Sequence, residues 1–553
     1  MTNTQNKSMT RREFIKNTGK VTAGVAVSTS SLGILAKSAY ATKNKNVMIL
    51  GGTQEPVQFN PLFYNNPPFE AVPEACCFDA LWDINEKGEF IPNLAVRVPT
   101  VKNGGILDDG LRWRIELKQG VKWHDGRLFT ARDVDFTYKT ILNPDLPVRT
   151  RAGFDLIEDF KVLDDYNIEM RLKKLYVPFM WSWQTIHILP EHILSKVGNI
   201  NTAAFNTNPM GTGPFLFHKR VAGSHVIYKR NANYHGHVPA LETFIQKVVP
   251  DQNVLYTQFK TGEIDVLSLH GVPAERYEEA LKLPNRDVLP TPGPWNEFIY
   301  FNCGKPQFKD PRVRKALYMA IDKDRWIKDI WYGTQTRALT YLPAGHWAVN
   351  SDVKDPGFDP GAAAQLLDAA GWKVGADGIR QKNGVKLKFS MSTSAGSKTR
   401  EQAQVLVQQN WKDINVSMEI RNMPASVVWG EYTTKSEFDT LMVAWGLIMG
   451  MDPDYTDRCH SELIPAKTGK GSNYVQYENA TVDRLLEDGV VTPDRENRMA
   501  IYKKIQKILD EEVPFAPIFT WNNLYGKKSS VKGYKVNGYV KDQTWNVQDW
   551  YWG

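Results

Sequence analysis

Three short groups of residues carry side chains that could perform acid–base chemistry or bind metal. His124 stands beside Asp125, and Glu263 stands two residues before Asp265, so each pair could donate and accept a proton. The run His235–His237 places two imidazoles at an alternate-residue spacing that can hold a metal ion. No hydrolase, metalloprotease or phosphate-loop motif accompanies them. We interpret the His124–Asp125 pair as a turn closed by the aspartate side chain, and we predict no catalytic residue, cofactor or metal.

The chain is rich in aromatic side chains, which commonly form the walls of ligand pockets. Aromatic residues make up 11% of its 553 residues and include 17 tryptophans. Apolar residues account for 42% and charged residues for 23%, values that exclude collagen-like, coiled-coil and largely disordered proteins. No stretch reaches about 18 uninterrupted apolar residues, which excludes a protein with several membrane-spanning helices. The length predicts two to four domains or lobes.

The first 41 residues have the pattern of an export signal. Thr10–Lys16 contains two adjacent arginines followed by a polar residue, phenylalanine, isoleucine and lysine, as twin-arginine signals do. A weakly apolar run, Val21–Leu35, follows, and Ala39–Ala41 supplies small residues at the two positions that signal peptidase recognises. We therefore expect export through the twin-arginine pathway, cleavage after Ala41 and a periplasmic location, rather than a basic helix of the mature fold.

Most of the excess positive charge belongs to this segment. The whole chain has 68 basic and 61 acidic residues, a net charge of +7. Residues 1–41 contain six basic residues and one acidic residue, which leaves 62 basic and 60 acidic residues and a net charge of +2. A nucleic-acid partner is therefore not expected.

The four cysteines leave two alternatives open. Cys76 and Cys77 are adjacent and do not form the C-x-x-C pattern of a redox or zinc site. In an oxidising compartment one of them could form a disulfide with Cys303 or Cys459, or the cysteines could be buried thiols. No cysteine follows the cleavage site, so we expect a free periplasmic protein rather than a lipid-anchored one.

Strand and helix signals intermix along the rest of the chain. Trp113–Leu117 alternates apolar and polar residues, which predicts a strand with one buried face. Thr130 and Asp133 form a variant capping box at the start of a helix. Asp310–Pro311 is typical of a helix start, and a late helix is predicted over residues 494–512. These signals predict a mixed α/β class.

Several motifs occur in an order that resembles a known family. The most recognisable stretch, Trp113–Asp135, leads from a strand through an aromatic-His-Asp-Gly turn to a helix. Over nearly all of its length after residue 41, the chain resembles the extracellular solute-binding proteins, family 5, of oligopeptide- and dipeptide-type ABC importers. This resemblance places the pair Glu263 and Asp265 in a helix-to-strand connection. The other landmarks are Phe90–Ala95, Gly211–Pro214, Arg230–Tyr234, Gly262–Asp265, Asp310–Asp322, Ala369–Trp372 and Tyr474–Asn479.

The resemblance implies an α/β fold of two lobes, the periplasmic binding protein fold of type II. Hinge strands join the lobes, and an extra domain is inserted in the first. Ligand binds between the lobes and stabilises their closed arrangement. The expected segments are a signal peptide over residues 1–41, lobe I over 42–68, the inserted domain over 69–208, lobe I again over 209–296, lobe II over 297–518, and a C-terminal return to lobe I over 519–553.

The segment Phe438–Asp454 resembles the cleft-lining stretch of the family and places Trp445 along the ligand. In peptide-binding members an aspartate at the position of Ile448 pairs with the peptide ammonium. In oligopeptide binders an arginine at the position of Met442 meets the carboxylate. Burying a charged terminus without a partner is costly, so the usual grip on peptide termini is predicted to be absent unless Asp452 or another carboxylate replaces it. The contacts expected from this segment are Trp445, Gly446, Ile448 and Asp452.

Three further contacts are expected from other segments. Gln54 follows the first strand, and Trp295 and Asn296 lie near the second crossing between the lobes. A tryptophan beside an asparagine suits a sugar, because the indole stacks on a pyranose face and the amide bonds hydroxyl groups. The ligand is therefore a peptide or, as the alternative, an oligosaccharide or other polyhydroxylated solute. Packing of the hinge is the alternative role for these residues.

The leading hypothesis is a periplasmic substrate-binding component of an ABC importer. It captures a peptide or small-molecule solute by hinge closure and delivers it to the permease and ATPase subunits at the inner membrane. We expect a monomer that is not an enzyme. A secreted hydrolase fits the export signal and the aromatic content, but no nucleophile or carboxylate pair can be placed for it. A chaperone or sensor that uses the same binding fold is the remaining alternative.

Overall fold

The computed structural model describes residues 46–56, 58–63, 67–269, 271–447, 451–540 and 543–553. The predicted export signal of residues 1–41 and the predicted contact Ile448 lie outside these ranges. Residues 48–553 form one structural unit. Within the described ranges, none of the helices combines the length and the apolar character needed to cross a membrane.

Strands and helices alternate through the described chain, which confirms the predicted α/β class. The strands are β1 (Val47–Gly52), β2 (Trp82–Ile84), β3 (Phe90–Pro92), β4 (Ile106–Leu107), β5 (Arg112–Glu116), β6 (Ile157–Asp164), β7 (Asn167–Leu172), β8 (Phe215–Val221), β9 (His225–Arg230), β10 (Thr243–Val248), β11 (Val266–Leu267), β12 (Arg286–Phe301), β13 (Thr336–Arg337), β14 (Lys373–Val374), β15 (Arg380–Lys382), β16 (Val385–Lys386), β17 (Lys388–Ser392), β18 (Ser417–Ile420), β19 (Thr440–Gly446), β20 (Phe515–Lys528), β21 (Val531–Lys532) and β22 (Tyr551–Trp552). The α-helices are α1 (Pro67–Cys77), α2 (Ala131–Leu142), α3 (Phe179–Gln184), α4 (Glu191–Leu194), α5 (Gln252–Thr261), α6 (Tyr277–Ala280), α7 (Pro311–Met319), α8 (Lys323–Arg325), α9 (Pro360–Ala369), α10 (Lys398–Lys412), α11 (Ala425–Val427), α12 (Thr456–Cys459), α13 (Pro465–Thr468), α14 (Ala480–Val491) and α15 (Arg495–Glu512).

The predicted helix starts are confirmed. Thr130 caps α2, and the Asp133 carboxylate accepts a hydrogen bond from the Thr130 backbone N–H at 2.9 Å, which completes the capping box. Asp310 caps α7 with proline at the first helical position, and Asp494 caps α15. These local rules work because the cap, the first turn and the buried face are all encoded within a few residues.

Two long strands hold the largest sheet together. Its order is β18-β17-β19-β12-β20-β11-β1-β10-β9-β8, and β13 also pairs with β20. Strands β12 and β20 pair antiparallel from Arg286 opposite Lys528 to Tyr300 opposite Phe515. The sheet is mixed, because β17 runs parallel to both its neighbours and β1 runs parallel to β11. A separate four-stranded sheet, β4-β5-β7-β6, lies within residues 106–172.

Buried apolar side chains form several separate cores. The largest core draws on residues 48–266 and 531–550. Two other cores draw on residues 298–519. This division matches the two-lobed architecture expected from the sequence. The predicted lobe boundaries after residues 296 and 518 fall inside β12 and β20, whereas the predicted boundary after residue 68 falls inside helix α1 rather than in a loop.

All four cysteines of the chain lie in the described residues, and none of them forms a disulfide. Cys76, Cys77 and Cys459 are fully buried, and Cys303 is half-buried. Burial raises the pKa of the Cys77, Cys303 and Cys459 thiols above the usual range. The structure therefore supports the buried-thiol alternative, and the disulfide to Cys303 or Cys459 is not formed.

Candidate ligand-binding site

A cavity of about 1370 Å³ opens between the segment that follows β19 and the residues around helix α1. Its walls also include residues 148–153 and 155–156 and, near the C-terminus, residues 539, 540, 544, 545 and 548. A site for one drug-sized ligand has roughly 300–1,000 Å³. The space is therefore large enough for a ligand built from several residues or sugar units.

Two of the predicted contacts, Trp295 and Trp445, lie on the wall of this cavity together with Gly446. Strand β12 pairs with β19 so that Trp295 stands opposite Gly446. A Cβ atom at position 446 would lie 2.6 Å from Cδ1 of Trp295, so glycine is the residue that leaves room for the indole. The Trp445 ring has its centroid 6.2 Å from that of Tyr474, which lines the same wall. The paired ends of the two strands thus build an aromatic wall.

Asn296 is not among the residues that line the cavity, in contrast to the prediction made from the sequence. Asn296 is 0% exposed. Its Nδ2 donates to the carbonyls of Thr340 and Leu342 at 3.1 and 3.0 Å, and its Oδ1 accepts from Thr520 at 2.7 Å. These bonds fix the chain near residue 340 and leave the amide no free surface for a ligand.

Asp452 is also not a direct contact in this structure. It is 2% exposed, and its carboxylate oxygens accept from Nη1 and Nη2 of Arg498 at 2.6 and 2.7 Å. The parallel bonds form a bidentate ion pair, the strongest common geometry between these groups. Because Arg498 belongs to α15, the pair fixes the segment after the aromatic wall to that helix. Asp452 therefore stabilises the segment that follows the aromatic wall and does not itself line the cavity.

Two acidic side chains on the cavity wall ionise near neutral pH. Burial, and then the charge of Asp79, raise the pKa of Asp83 to about 7. Burial, and then the charge of Asp452, raise the pKa of Asp454 to about 6. Burial alone would also raise the pKa of Asp79, but the hydrogen bond and the charge of His235 lower it to about 2. A cationic group placed beside Asp83 or Asp454 would favour the ionised carboxylate, so both can serve as partners for an amine.

One arginine, Arg458 on α12, lies on the same wall as the tryptophan. Its guanidinium carbon lies 4.1 Å from the centroid of the Trp445 ring, a cation–π contact. Arg149, which also lines the cavity, is paired instead with Glu74. The cavity thus carries aromatic faces, carboxylates and a stacked guanidinium.

The residues that the sequence singled out for chemistry have structural partners. His124 Nε2 lies 3.0 Å from the Gly213 carbonyl oxygen, and Asp265 accepts from the Ile49 backbone N–H at 2.9 Å. His235 Nε2 lies 3.1 Å from a carboxylate oxygen of Asp79. Across the described residues, no group of three or more His, Cys, Asp or Glu side chains could hold a metal ion.

Known proteins resemble this chain in sequence and in fold. Residues 89–462 match the family described as "Bacterial extracellular solute-binding proteins, family 5 Middle". The chain belongs to this family. The oligopeptide-binding protein AppA of Bacillus subtilis is 30% identical over 534 residues, which cover 95% of each chain. The dipeptide-binding protein of Escherichia coli is 25% identical over 543 residues, which cover 93% of this chain and 97% of the relative.

Two solved structures share the fold of this family 5 protein. AppA of Bacillus subtilis in complex with a nonapeptide has a TM-score of 0.78 at 29% identity, and covers 92% of this chain and 99% of its own. NikZ of Campylobacter jejuni in complex with Ni(L-His) has a TM-score of 0.78 at 27% identity, with the same coverage. These similarities confirm the predicted family and the two-lobed periplasmic binding protein fold.

The residues predicted for this solute-binding protein divide into three sets. Trp295, Trp445 and Gly446 lie together on the cavity wall, and Asn296 and Asp452 are buried behind it. Gln54 is exposed on the loop after β1 and does not line the cavity, and Ile448 lies outside the described residues.

The cavity-lining residues that sequence reasoning missed include three charged side chains, Asp83, Asp454 and Arg458. Asp454 and Arg458 follow the predicted contact Asp452 within six residues. The sequence therefore indicated the correct segment, but not these two side chains. Asp83 comes from a distant segment and gave no local signal, because only the tertiary fold brings β2 to the cavity.

Proposed function

We propose that this protein is the substrate-binding component of an ABC importer and that its cargo is a peptide. The observation that carries the proposal is a large cavity with aromatic and charged walls, in a chain whose relatives AppA and the Escherichia coli protein are peptide-binding proteins. Peptides carry charges of both signs, and the cavity offers carboxylates and a guanidinium. Oligosaccharide binding has less support, because Asn296, the amide that suggested it, is buried.

The proposed mechanism is closure of two lobes around the ligand. Lining residues within 71–214, together with residues 539, 540, 544, 545 and 548, form one side of the cavity, and residues 445–447 with lining residues within 454–490 form the other. The two sides already touch in this structure, because Met451 packs with Ile84 and Trp181, and the Val177 backbone N–H donates to the Val490 carbonyl at 2.7 Å. A ligand that contacts both sides adds to these bonds and favours this closed arrangement, which the permease and ATPase subunits then recognise.

We further propose the segment plan that this mechanism needs. Strands β12 and β20 act as the hinge, residues 42–68, 209–296 and 519–553 belong to lobe I, residues 69–208 to the inserted domain, and residues 297–518 to lobe II. The separation of the apolar cores at these two strands supports the plan. The protein would act as a periplasmic monomer without catalysis, after twin-arginine export and cleavage behind Ala41.

A thermal-shift panel tests the proposed cargo. A mixed library of peptides with two to nine residues is expected to stabilise the purified protein, by ~2.7 kcal/mol at 100 times the dissociation constant. A parallel panel of oligosaccharides and the free amino acids of the same library serve as controls. Stabilisation by oligosaccharides alone would contradict peptide binding, and turnover of either class by the protein would contradict a binding-only role.

A pH series tests Asp454 as a partner for the peptide amine. The pKa of Asp454 is raised to about 6, so the carboxyl group is largely protonated at pH 5 and ionised at pH 7. A bound ammonium favours the ionised form, so peptide affinity is expected to rise as the pH increases through about 6. Isothermal titration calorimetry with an amine-free, N-acetylated peptide as the comparison measures this effect.

The matched variants for this series are Asp454→Asn and Asp457→Asn, since both aspartates line the cavity. Asp454→Asn is expected to flatten the rise in affinity, whereas Asp457→Asn is expected to keep it. Asp452, Arg498 and Thr456 also act on the Asp454 carboxyl group and remain unchanged in both variants. An unchanged slope in Asp454→Asn would assign the pH dependence to another group, such as Asp83.

A further inference from the structure

Arg458 is a buried cation whose hydrogen bonds the described residues do not complete. The residue is 7% exposed, and its Nε and Nη1 atoms are buried without a hydrogen-bond partner. No carboxylate in the described ranges forms an ion pair with it, although its guanidinium carbon lies 4.1 Å from the Trp445 ring centroid. A guanidinium has five N–H donors, which point outward in the plane of the group. A ring stacked on the face of the guanidinium does not accept hydrogen bonds from them.

Two other buried arginines of the same half of the molecule, Arg314 and Arg498, donate several hydrogen bonds each. Arg314, which is 3% exposed, donates to the backbone carbonyls of Phe308, Lys309, Glu512 and Val513. Arg498 is bonded to Asp452 through two nitrogens and to the Gly489 carbonyl through Nε. These two side chains have the pattern of structural arginines, and Arg458 does not.

The indole on which Arg458 is stacked adds a further donor and no acceptor. Among the described residues, Nε1 of Trp445 is also buried without a hydrogen-bond partner. Arg458 and Trp445 both line the cavity. Burying an unpaired charge is costly, and the cation–π contact offsets a part of that cost. An anionic group that enters from the cavity would complete the arrangement.

We propose that Arg458, stacked on Trp445, binds a carboxylate group of the ligand. A carboxylate matches the planar fork of a guanidinium and can accept two parallel hydrogen bonds from it. The inference rests on the proposed peptide-binding function and adds the ligand group that this part of the wall selects. The carboxylate comes either from the C-terminus of a peptide or from an aspartate or glutamate side chain.

Three synthetic peptide libraries of two to nine residues distinguish these sources. The first has free C-termini and no acidic residues, the second has amidated C-termini and no acidic residues, and the third has amidated C-termini and one glutamate. Peptides retained by the purified protein are identified by mass spectrometry, and their dissociation constants are measured by calorimetry. Wild-type protein is expected to retain the first or the third library in preference to the second.

The variants Arg458→Gln and Arg458→Met are expected to weaken binding of the retained carboxylate peptides by at least about tenfold. They are expected to leave binding of neutral amidated peptides unchanged. The control is Arg495→Gln, because Arg495 stacks on Trp347 at 4.8 Å in a second arginine–tryptophan contact that does not line the cavity. Its affinities are expected to equal those of the wild type.

The melting temperature without ligand separates a ligand-binding role from a structural one. Replacing an unpaired buried charge by methionine is expected to leave that temperature unchanged or to raise it, whereas loss of a structural arginine would lower it. If both neutral variants fail to fold, Arg458→Lys carries the test, since it keeps the charge and loses the fork. Arg458→Lys is expected to weaken the binding of carboxylate peptides and not that of neutral amidated peptides.

Each outcome decides between the proposals. Unchanged affinity of folded Arg458 variants for carboxylate peptides, or a wild-type preference for the neutral amidated library, would overturn the role of Arg458 and leave peptide binding intact. If the wild-type protein retains no peptide from any library, the proposed function fails and this inference fails with it.

Discussion

Replacement of Arg498 by methionine is expected to lower the free energy of unfolding by about 3–5 kcal/mol. The substitution leaves the Asp452 carboxylate, which is 2% exposed, without the two hydrogen bonds of 2.6 and 2.7 Å that now balance its charge. It also removes the bond from Nε to the Gly489 carbonyl. Urea-induced unfolding of the protein without ligand, followed by near-ultraviolet circular dichroism, measures the loss.

Two further variants show whether the lost charge partner is the cause. The double variant Asp452→Leu, Arg498→Met removes both charges and is expected to recover most of the stability, because apolar side chains can replace a buried ion pair. Arg312→Met breaks the exposed pair with Asp310 and is expected to have no comparable effect. A double variant as unstable as Arg498→Met would show that packing, and not the charge of Asp452, is responsible.

Replacement of Trp445 by alanine is expected to weaken ligand binding by at least about 30-fold. The indole lies on the cavity wall between Tyr474 and Arg458, so its loss removes an aromatic surface and the ring on which the guanidinium is stacked. Large aromatic side chains in the centre of a binding site typically carry much of the binding energy. The dissociation constant of a peptide retained by the wild type, measured by calorimetry, gives the effect.

Trp347→Ala is the matched control for this variant. Both tryptophans are partly buried and pack against the same apolar core, but Trp347 does not line the cavity. The two substitutions are therefore expected to cost similar stability, and only Trp445→Ala is expected to change affinity. Equal losses of affinity in both variants would indicate a general loosening of this lobe. Trp445→Phe is expected to fall between the wild type and the alanine variant.

Features encoded within a few residues were predictable from the sequence. The capping box of Thr130 and Asp133 and the proline start after Asp310 lie where the sequence predicts them, because each depends on contacts within one helical turn. The family resemblance placed Trp445 and Trp295 near each other, and the pairing of β12 with β19 brings both to one wall. Aromatic cavity residues were therefore accessible to sequence reasoning.

The polar part of the site was less accessible, because it depends on contacts between distant segments. The buried amide of Asn296 bonds to the carbonyls of Thr340 and Leu342 and to the hydroxyl of Thr520, and only the tertiary fold reveals these partners. The partner of Asp452 is Arg498, 46 positions later in the chain, and only packing of α15 reveals it. Likewise, only the tertiary fold shows that Nε and Nη1 of Arg458 have no hydrogen-bond partner among the described residues.

None of the four cysteines forms a disulfide in this structure, and this determines when the chain can acquire its fold. No step of folding waits for an oxidant, because each cysteine is buried or half-buried as a thiol in the finished structure. Burial keeps the Cys77, Cys303 and Cys459 thiols protonated, and the protonated form is a poor nucleophile. The same covalent structure is therefore compatible with a reducing and with an oxidising compartment.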